Sequence, residues 1–247
     1  MFKKMVNSKL FDICFSPALY SFYAENEYEI VVVVDVFRAT TTICAAFAAG
    51  AAAVRPVKSL QEAQAAKAQG DIVGAERNAD KCDFADFGNS PYDYLPEKLH
   101  GKTLIFTSTN GTAAIETAKN AKEIIIGAFV NLQTVADFCV KSKKNVLVLC
   151  AGWMNRFCVE DMLFGGVLAE ILLENNFISK SDSVFMAQNL WRQAKNNVFD
   201  FLKGTEHISR LQKRFLNKDI EFCLQKNTIN LLPVFDKKLN VINLRKF

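Results

Sequence analysis

At 247 residues, with half of them hydrophobic and 23% charged, the chain has the composition of a folded protein with a sizeable core, which excludes disordered, low-complexity and collagen-like classes. Seven cysteines, at 14, 44, 82, 139, 150, 158 and 223, form no CxxC pair and are accompanied by two histidines. That spacing argues against a disulfide framework and against a zinc site built from Cys and His, and points to reduced, mostly buried thiols. The net charge of +4 is uneven, because residues 192–247 hold 12 Lys/Arg against 5 Asp/Glu. These charges are interleaved with Leu, Ile and Phe, as in HISRLQKRFLNKDIEF, and read as solvated helix faces rather than a nucleic-acid surface. The longest tempting charge-free stretch, Ala39 to Val54, is too short to span a bilayer, and MFKKMVNSKLFDIC lacks the continuous apolar core of a secretory signal. No membrane association and a cytoplasmic location are the expectation.

In chain order, β-branched runs alternate with helical segments. EIVVVVDV predicts a strand, followed by a helix in TTTICAAFAAG that Gly50 closes. AAVRPV leads to SLQEAQAAKAQG, opened by a capping box from Ser59 to Glu62 and closed by Gly70. DIVGAE and KTLIFTS are further strands, and NGTAAIETAKNA a helix. KEIIIGAF precedes NLQTVADFCVKSK, with Asn131 as the expected N-cap, and KNVLVLC completes six strands. Beyond Cys150 the pattern becomes helical in VEDMLFGGVLAEILLENN, SDSVFMAQNLWRQA and TEHISRLQKRF, and the tail segments INLLPVF and LNVINL are expected as edge strands. The fold class is therefore α/β, a largely parallel or mixed sheet with helices on both faces and a helical C-terminal part, in a single domain spanning 1–247.

Ligands of open parallel sheets gather beyond the carboxyl ends of the strands, and polar clusters fall at four such ends. VVVVDVFRATTT supplies Asp35, Arg38 and Thr40 to Thr42; DIVGAER supplies Glu76 and Arg77. TLIFTSTNGT supplies Ser108, Thr109, Asn110, Gly111 and Thr112; VLVLCAGWMNRFCVED supplies Cys150, Arg156, Glu160 and Asp161. The loop FGNSP adds Asn89 and Ser90. Singly, each cluster has a structural explanation as a cap, an ion pair or a turn. Together they describe a metal-assisted anion site, since carboxylate oxygens suit Mg²⁺ and arginine forks with helix N-termini suit phosphate.

Of the phosphate machineries, a P-loop is absent, and the DxDxT of haloacid-dehalogenase phosphatases lacks its second acid at Phe37. Cys150 to Arg156 fits the CxxxxxR of cysteine-dependent phosphatases, but Leu149 stands where His is usual and Phe157 where Ser or Thr is usual. That reading stands as the alternative enzyme, and a non-catalytic phosphometabolite-binding protein as the alternative outside catalysis.

DVFRATTT, GAER, FGNSP, TSTNGT, GAFVN and CAGWMNRFCVED, in this order, resemble the 2-phosphosulfolactate phosphatase family, ComB, from about Val31 to Gly166. One departure is Ser108, where the family usually shows Thr. The resemblance implies an α/β hydrolase that uses Mg²⁺ to convert (2R)-2-phospho-3-sulfolactate to 3-sulfolactate and phosphate, a step of coenzyme M biosynthesis, or that acts on a related small acidic phosphoester. On this view Asp35, Glu76 and one of Glu160 and Asp161 hold Mg²⁺. Arg38 and Arg77 grip the anion, and Thr41, Asn89, Ser90 and Ser108 to Thr112 line the substrate. A homodimer is the default for a soluble enzyme.

Overall fold

The computed structural model describes residues 8–24 and 28–245. Residues 1–7 of the stretch read for a signal segment lie outside the described residues.

The first strand, β1 (Lys9–Cys14), and a single helical turn, α1 (Ser21–Ala24), lead to β2 (Ile30–Val34), whose five residues are all buried. β2 is flanked by two parallel partners, β7 (Glu123–Gly127) and β8 (Val146–Cys150), so side chains on both of its faces meet protein. Burial of each valine contributes about 1.5–3 kcal/mol, which explains why four in succession are tolerated here. Between these strands come α2 (Ala39–Ala48), β3 (Ala53–Pro56), α3 (Leu60–Ala68), β4 (Ile72–Arg77), β5 (Asp80–Lys81), the one-turn α4 (Pro96–Leu99), β6 (Thr103–Thr107) and α5 (Gly111–Thr117). α6 (Leu132–Ser142) joins β7 to β8. Half of the predicted capping box forms: Ser59 Oγ accepts from the Glu62 N–H, while the Glu62 carboxylate accepts from the Ser59 hydroxyl and not from its backbone N–H; Gly50 and Gly70 close their helices at φ of 87° and 90°. Asn131 stands before α6, but its amide turns back, accepting from the Ala128 N–H and donating to the Ile126 and Leu231 carbonyls.

The C-terminal part is helical as expected: α7 (Val159–Glu174), α8 (Asp182–Ala194), α9 (Val198–Leu202), α10 (Glu206–Gln212) and α11 (Asn217–Cys223), with the short β9 (Phe177–Ile178) after α7. The chain ends in a hairpin of β10 (Pro233–Asp236) and β11 (Val241–Leu244). All strands join one mixed sheet in the order β5-β4-β6-β3-β11-β10-β7-β2-β8-β1-β9. The tail strands are therefore central, not edge, which corrects the sequence expectation. Their alternating apolar pattern reflects one covered face, where Phe235 and Ile242 enter the inner core, and not an open edge. Pro233, which has no N–H to give a ladder, is tolerated because it is the first residue of its strand.

This hairpin shapes the molecule. Its three successive antiparallel junctions, β7–β10, β10–β11 and β11–β3, leave β3, β6 and β4 running opposite to β7, β2 and β8 along the sheet. Strand twist of about 20–25° accumulates over the five steps from β2 to β6 to roughly 100–125°, so the two parallel blocks face each other. Val31 and Val33 of β2, Ile43 and Phe47 of α2, Ile115 of α5 and Leu104 and Phe106 of β6 share the core enclosed between them. α6, α7 and α8 cover the other face of the first block, and α3 covers the second. The carboxyl ends of β2, β4, β6 and β8 meet at one place.

Candidate active site

At the end of β2 the chain passes through Asp35 to Arg38 into α2, with a cis peptide between Phe37 and Arg38. The following threonines fasten this turn. Thr40 Oγ1 donates to the Asp35 carbonyl at 2.9 Å and accepts from the Asp35 N–H at 3.1 Å. Thr41 donates to the Val36 carbonyl, and Thr42 to the Asn89 carbonyl. All three hydroxyls are buried and committed to backbone, so Thr41 does not face the cleft. The Asp35 carboxylate, 6% exposed, receives only a long contact of 3.4 Å from the Ala39 N–H. Burial first, then repulsion from Glu76, pushes its pKa up to about 6 against the attraction of His207.

Opposite Asp35, β4 ends in Glu76, which accepts from the Ala79 N–H at 2.5 Å and from the N–H and hydroxyl of Thr109 at 3.2 and 3.1 Å. The next residue, Arg77, turns back onto the Glu76 carbonyl and the Thr107 hydroxyl and does not line the cleft. After β6, the Ser108 hydroxyl accepts from the Thr112 N–H and the Thr112 hydroxyl donates to the Ser108 carbonyl, which fastens the turn leading into α5. Gly111 is required by close approach, since a Cβ there would lie 2.4 Å from the Ala39 Cβ and 2.9 Å from Asp35 Oδ2. Asn110 Oδ1 accepts from the Met154 N–H, tying this turn to the loop after β8.

The acid pair at the start of α7 has partners of its own. Asp161 accepts from the Val36 N–H at 2.8 Å and from the Gly152 N–H at 3.0 Å, clamping the ends of β2 and β8 together. Burial, reinforced by Glu160 and Asp35, holds its pKa well above the carboxylate range. Glu160 Oε1 lies 2.5 Å from His207 Nδ1 of α10. Neither acid lines the cleft between Asp35 and Glu76.

That cleft is walled by Asp35, Glu76, Asn89, Thr109, His207 and Arg210, and encloses about 20 Å³, room for roughly one water or small ion. Asn89 Oδ1 is buried without a hydrogen-bond partner, an oxygen left for a ligand. Arg38 reaches the cleft, but its guanidinium is held by Asp219 at 2.5 Å and by the Ala79 carbonyl at 3.0 Å. Ser90 is likewise engaged, donating to Asp219 at 2.9 Å. Arg210 has no carboxylate partner among the described residues, and its guanidinium lies 4.1 Å from the centre of the Trp153 ring.

The family model for 2-phosphosulpholactate phosphatase matches residues 14–238. The chain belongs to the 2-phosphosulfolactate phosphatase family. It is 38% identical over 207 residues to a probable 2-phosphosulfolactate phosphatase of Thermotoga petrophila, covering 84% of this chain and 89% of the relative. A protein with the same description from Carboxydothermus hydrogenoformans is 37% identical over 218 residues, covering 86% and 90%. One from Caldanaerobacter subterraneus subsp. tengcongensis is 36% identical over 207 residues, covering 82% and 86%.

Within this family fold, Asp35, Arg38, Glu76, Asn89, Thr109 and Asn110 converge as the sequence suggested. Arg77, Thr41, Ser108 and Thr112 support the turns instead. His207, Arg210 and Asp219 also reach this region without a signal in the sequence, because α10 and α11 carry no strand-end pattern and only the fold brings them over the site. The CxxxxxR reading gains nothing from the geometry. Cys150 lies 1% exposed in the apolar core with its thiol pKa driven far up by burial, whereas the Arg156 side chain is 63% exposed on the Trp153 ring.

Proposed function

We propose that this chain is a Mg²⁺-dependent hydrolase of a small acidic phosphate monoester, 2-phospho-3-sulfolactate being the substrate that the relatives' names suggest. The observation that carries the reading is the pairing of Asp35 and Glu76 across a cleft of about 20 Å³ that also holds the unpartnered Asn89 oxygen. This donor set fits Mg²⁺, which takes one or two carboxylates and keeps several waters or phosphate oxygens. Asp35 and Glu76 would hold the ion, with Glu76 oriented by Thr109 and Ala79. When bound, Mg²⁺ polarises the phosphoryl oxygens and lowers the pKa of a coordinated water.

The other groups position and neutralise, which in phosphoryl transfer supplies most of the catalysis. Arg210, held on Trp153, offers an unpaired guanidinium fork to the substrate's second anionic group. Arg38, neutralised by Asp219, keeps the turn at residues 78–79 and α11 around the cleft. His207 is oriented through Nδ1 by Glu160, and Nε2 makes no hydrogen bond among the described residues. It is the group placed to give a proton to the leaving alkoxide oxygen.

The test is phosphate release from 2-phospho-3-sulfolactate, phospholactate and phosphoglycerate, with Mg²⁺ and with EDTA. Release that requires Mg²⁺ and favours the doubly or triply anionic esters is expected. No release from any of them, or release indifferent to EDTA, would overturn the reading.

A further inference from the structure

Spacing along the chain gives no reason to pair a cysteine with a histidine, yet the fold does so beside the catalytic cleft. Cys158 is the residue before α7, Glu160 lies in the first turn of α7, and His207 lies in the first turn of α10. Cys158 Sγ is 4.0 Å from His207 Nδ1, which is 2.5 Å from Glu160 Oε1, and the three donor atoms all lie within 4.8 Å of one another. A tetrahedral zinc ion with ordinary bond lengths requires about 3.6 Å between sulfur and nitrogen and about 3.4 Å between nitrogen and oxygen. Side-chain shifts of under about 1 Å therefore bring the three onto one ion.

A second cavity, of about 240 Å³, gives access to the group. It is lined by Cys158, Glu160 and His207 together with Trp153, Arg210 and Thr205. Thr205 Oγ1 is buried in its wall and has no hydrogen-bond partner. It leaves a polar atom in the same cavity free to bond a water, such as the one that fills the open fourth position three protein ligands leave. The chemistry of the donors selects the ion. Thiolate and imidazole are poor ligands for Mg²⁺ and good ones for zinc, whereas Asp35 and Glu76 offer oxygen alone. The two cavities share Trp153, His207 and Arg210 in their walls.

We propose that Cys158, Glu160 and His207 form a second metal site, selective for a thiophilic divalent cation of the zinc class, whose occupation inhibits the enzyme. Binding releases two protons to solvent, one from the Cys158 thiol and one from His207 Nδ1, so the sulfur ligates as thiolate and Nδ1 through its lone pair, with the remaining imidazole proton on Nε2. The Glu160–His207 pair that orients the imidazole is then dissolved. Buried carboxylates explain why the site needs a cation. Without one, burial and then Glu160, Asp161 and Asp35 hold the Cys158 thiol far above its usual range, with Arg210 opposing them. The inhibitory consequence rests on the role given to His207 above; the binding does not.

Co²⁺, added to the whole protein in excess Mg²⁺, reads the site independently of activity. One equivalent is expected to give a thiolate-to-cobalt charge-transfer band in the near ultraviolet, together with the visible bands of a four-coordinate ion. Cys158→Ser should abolish the charge-transfer band and retain Mg²⁺-supported phosphate release. Zn²⁺ should inhibit the parent at concentrations at least tenfold below those needed for Cys158→Ser. No thiolate band in the parent, or an undiminished band in Cys158→Ser, overturns the site; equal zinc sensitivity of the two proteins overturns its inhibitory role. If the parent releases no phosphate at all, the functional reading fails, and the cobalt spectra still decide the metal site.

Discussion

Arg38 donates to the carboxylate of Asp219 at 2.5 Å across 181 positions of sequence, with the two side chains only 3% and 6% exposed. The pair joins the start of α2 to α11, and Ser90 and the Ala79 carbonyl complete its hydrogen bonds. Removing one partner of such a pair leaves a charge in the interior with nothing to offset its desolvation. Asp219→Ala should therefore cost about 3–5 kcal/mol, and Asp219→Asn, which keeps an acceptor, clearly less. Chemical denaturation of the three proteins decides this; a loss below about 1 kcal/mol for Asp219→Ala would mean that water or another acid replaces the partner.

Asp35 gives a pH dependence with a definite sign. Its carboxyl is raised from 3.8 to about 6, so the native state binds the proton more tightly than the unfolded chain does. That contribution to stability is complete below the unfolded value and is lost as pH rises through about 6. Without divalent cation, melting temperature should fall between pH 4 and 6.5 more steeply in the parent than in Asp35→Asn. Mg²⁺ should stabilise the parent more at pH 8 than at pH 5, since a protonated carboxyl is a poor ligand. Asp35→Asn should also lose activity on the order of a hundred-fold or more, the scale of a lost metal ligand in phosphoryl transfer. A parent whose Mg²⁺ response is flat in pH would remove Asp35 from the ligand set.

The difference between what the letters of this chain disclose and what they conceal follows from locality. The run Ile30 to Val34 reads directly as a doubly buried strand, and the acids at its end and at the end of β4 are local signals that survive folding. The tail strands were legible as strands but not as the centre of the sheet, because alternation reports a covered face and says nothing of which neighbours pair. His207 and Arg210 sit in an ordinary amphipathic helix, and only the path of α8 to α11 across the carboxyl ends gives them a role. Arg77 shows the converse. It stands beside a site acid in sequence, but strand alternation sends successive side chains to opposite faces, and its guanidinium settles on backbone.

The burial of Cys150 separates thiol chemistry from metal chemistry. Cys150→Ser puts a hydroxyl into the apolar cluster that also holds Val34, Val148 and Met162 and should cost about 1–3 kcal/mol in stability. Turnover per folded molecule should nevertheless stay within a few-fold of the parent, because the thiol touches none of the cleft. EDTA should abolish phosphate release in both proteins. A Cys150→Ser protein that folds, by circular dichroism, but releases no phosphate would restore the cysteine as nucleophile.

Arg210 makes the sharpest distinction among substrates. Its guanidinium lies over Trp153 without a carboxylate partner among the described residues, while Arg38 is neutralised by Asp219 and Arg77 is committed to backbone and Thr107. A charge-assisted hydrogen bond to an anion contributes about 1.5–3 kcal/mol, so Arg210→Ala should raise KM roughly 10–100-fold for esters that carry a second anionic group. A phosphomonoester with no other charge should be affected far less, because in the proposed reading the phosphate binds at the Asp35 and Glu76 end of the cleft. Arg210→Lys should recover part of the loss, keeping the charge but not the planar fork that stacks on the indole. Steady-state kinetics on phospholactate and on an uncharged alkyl phosphate provide the comparison. An equal loss on both would move Arg210 from recognition of the second anion to the phosphate itself.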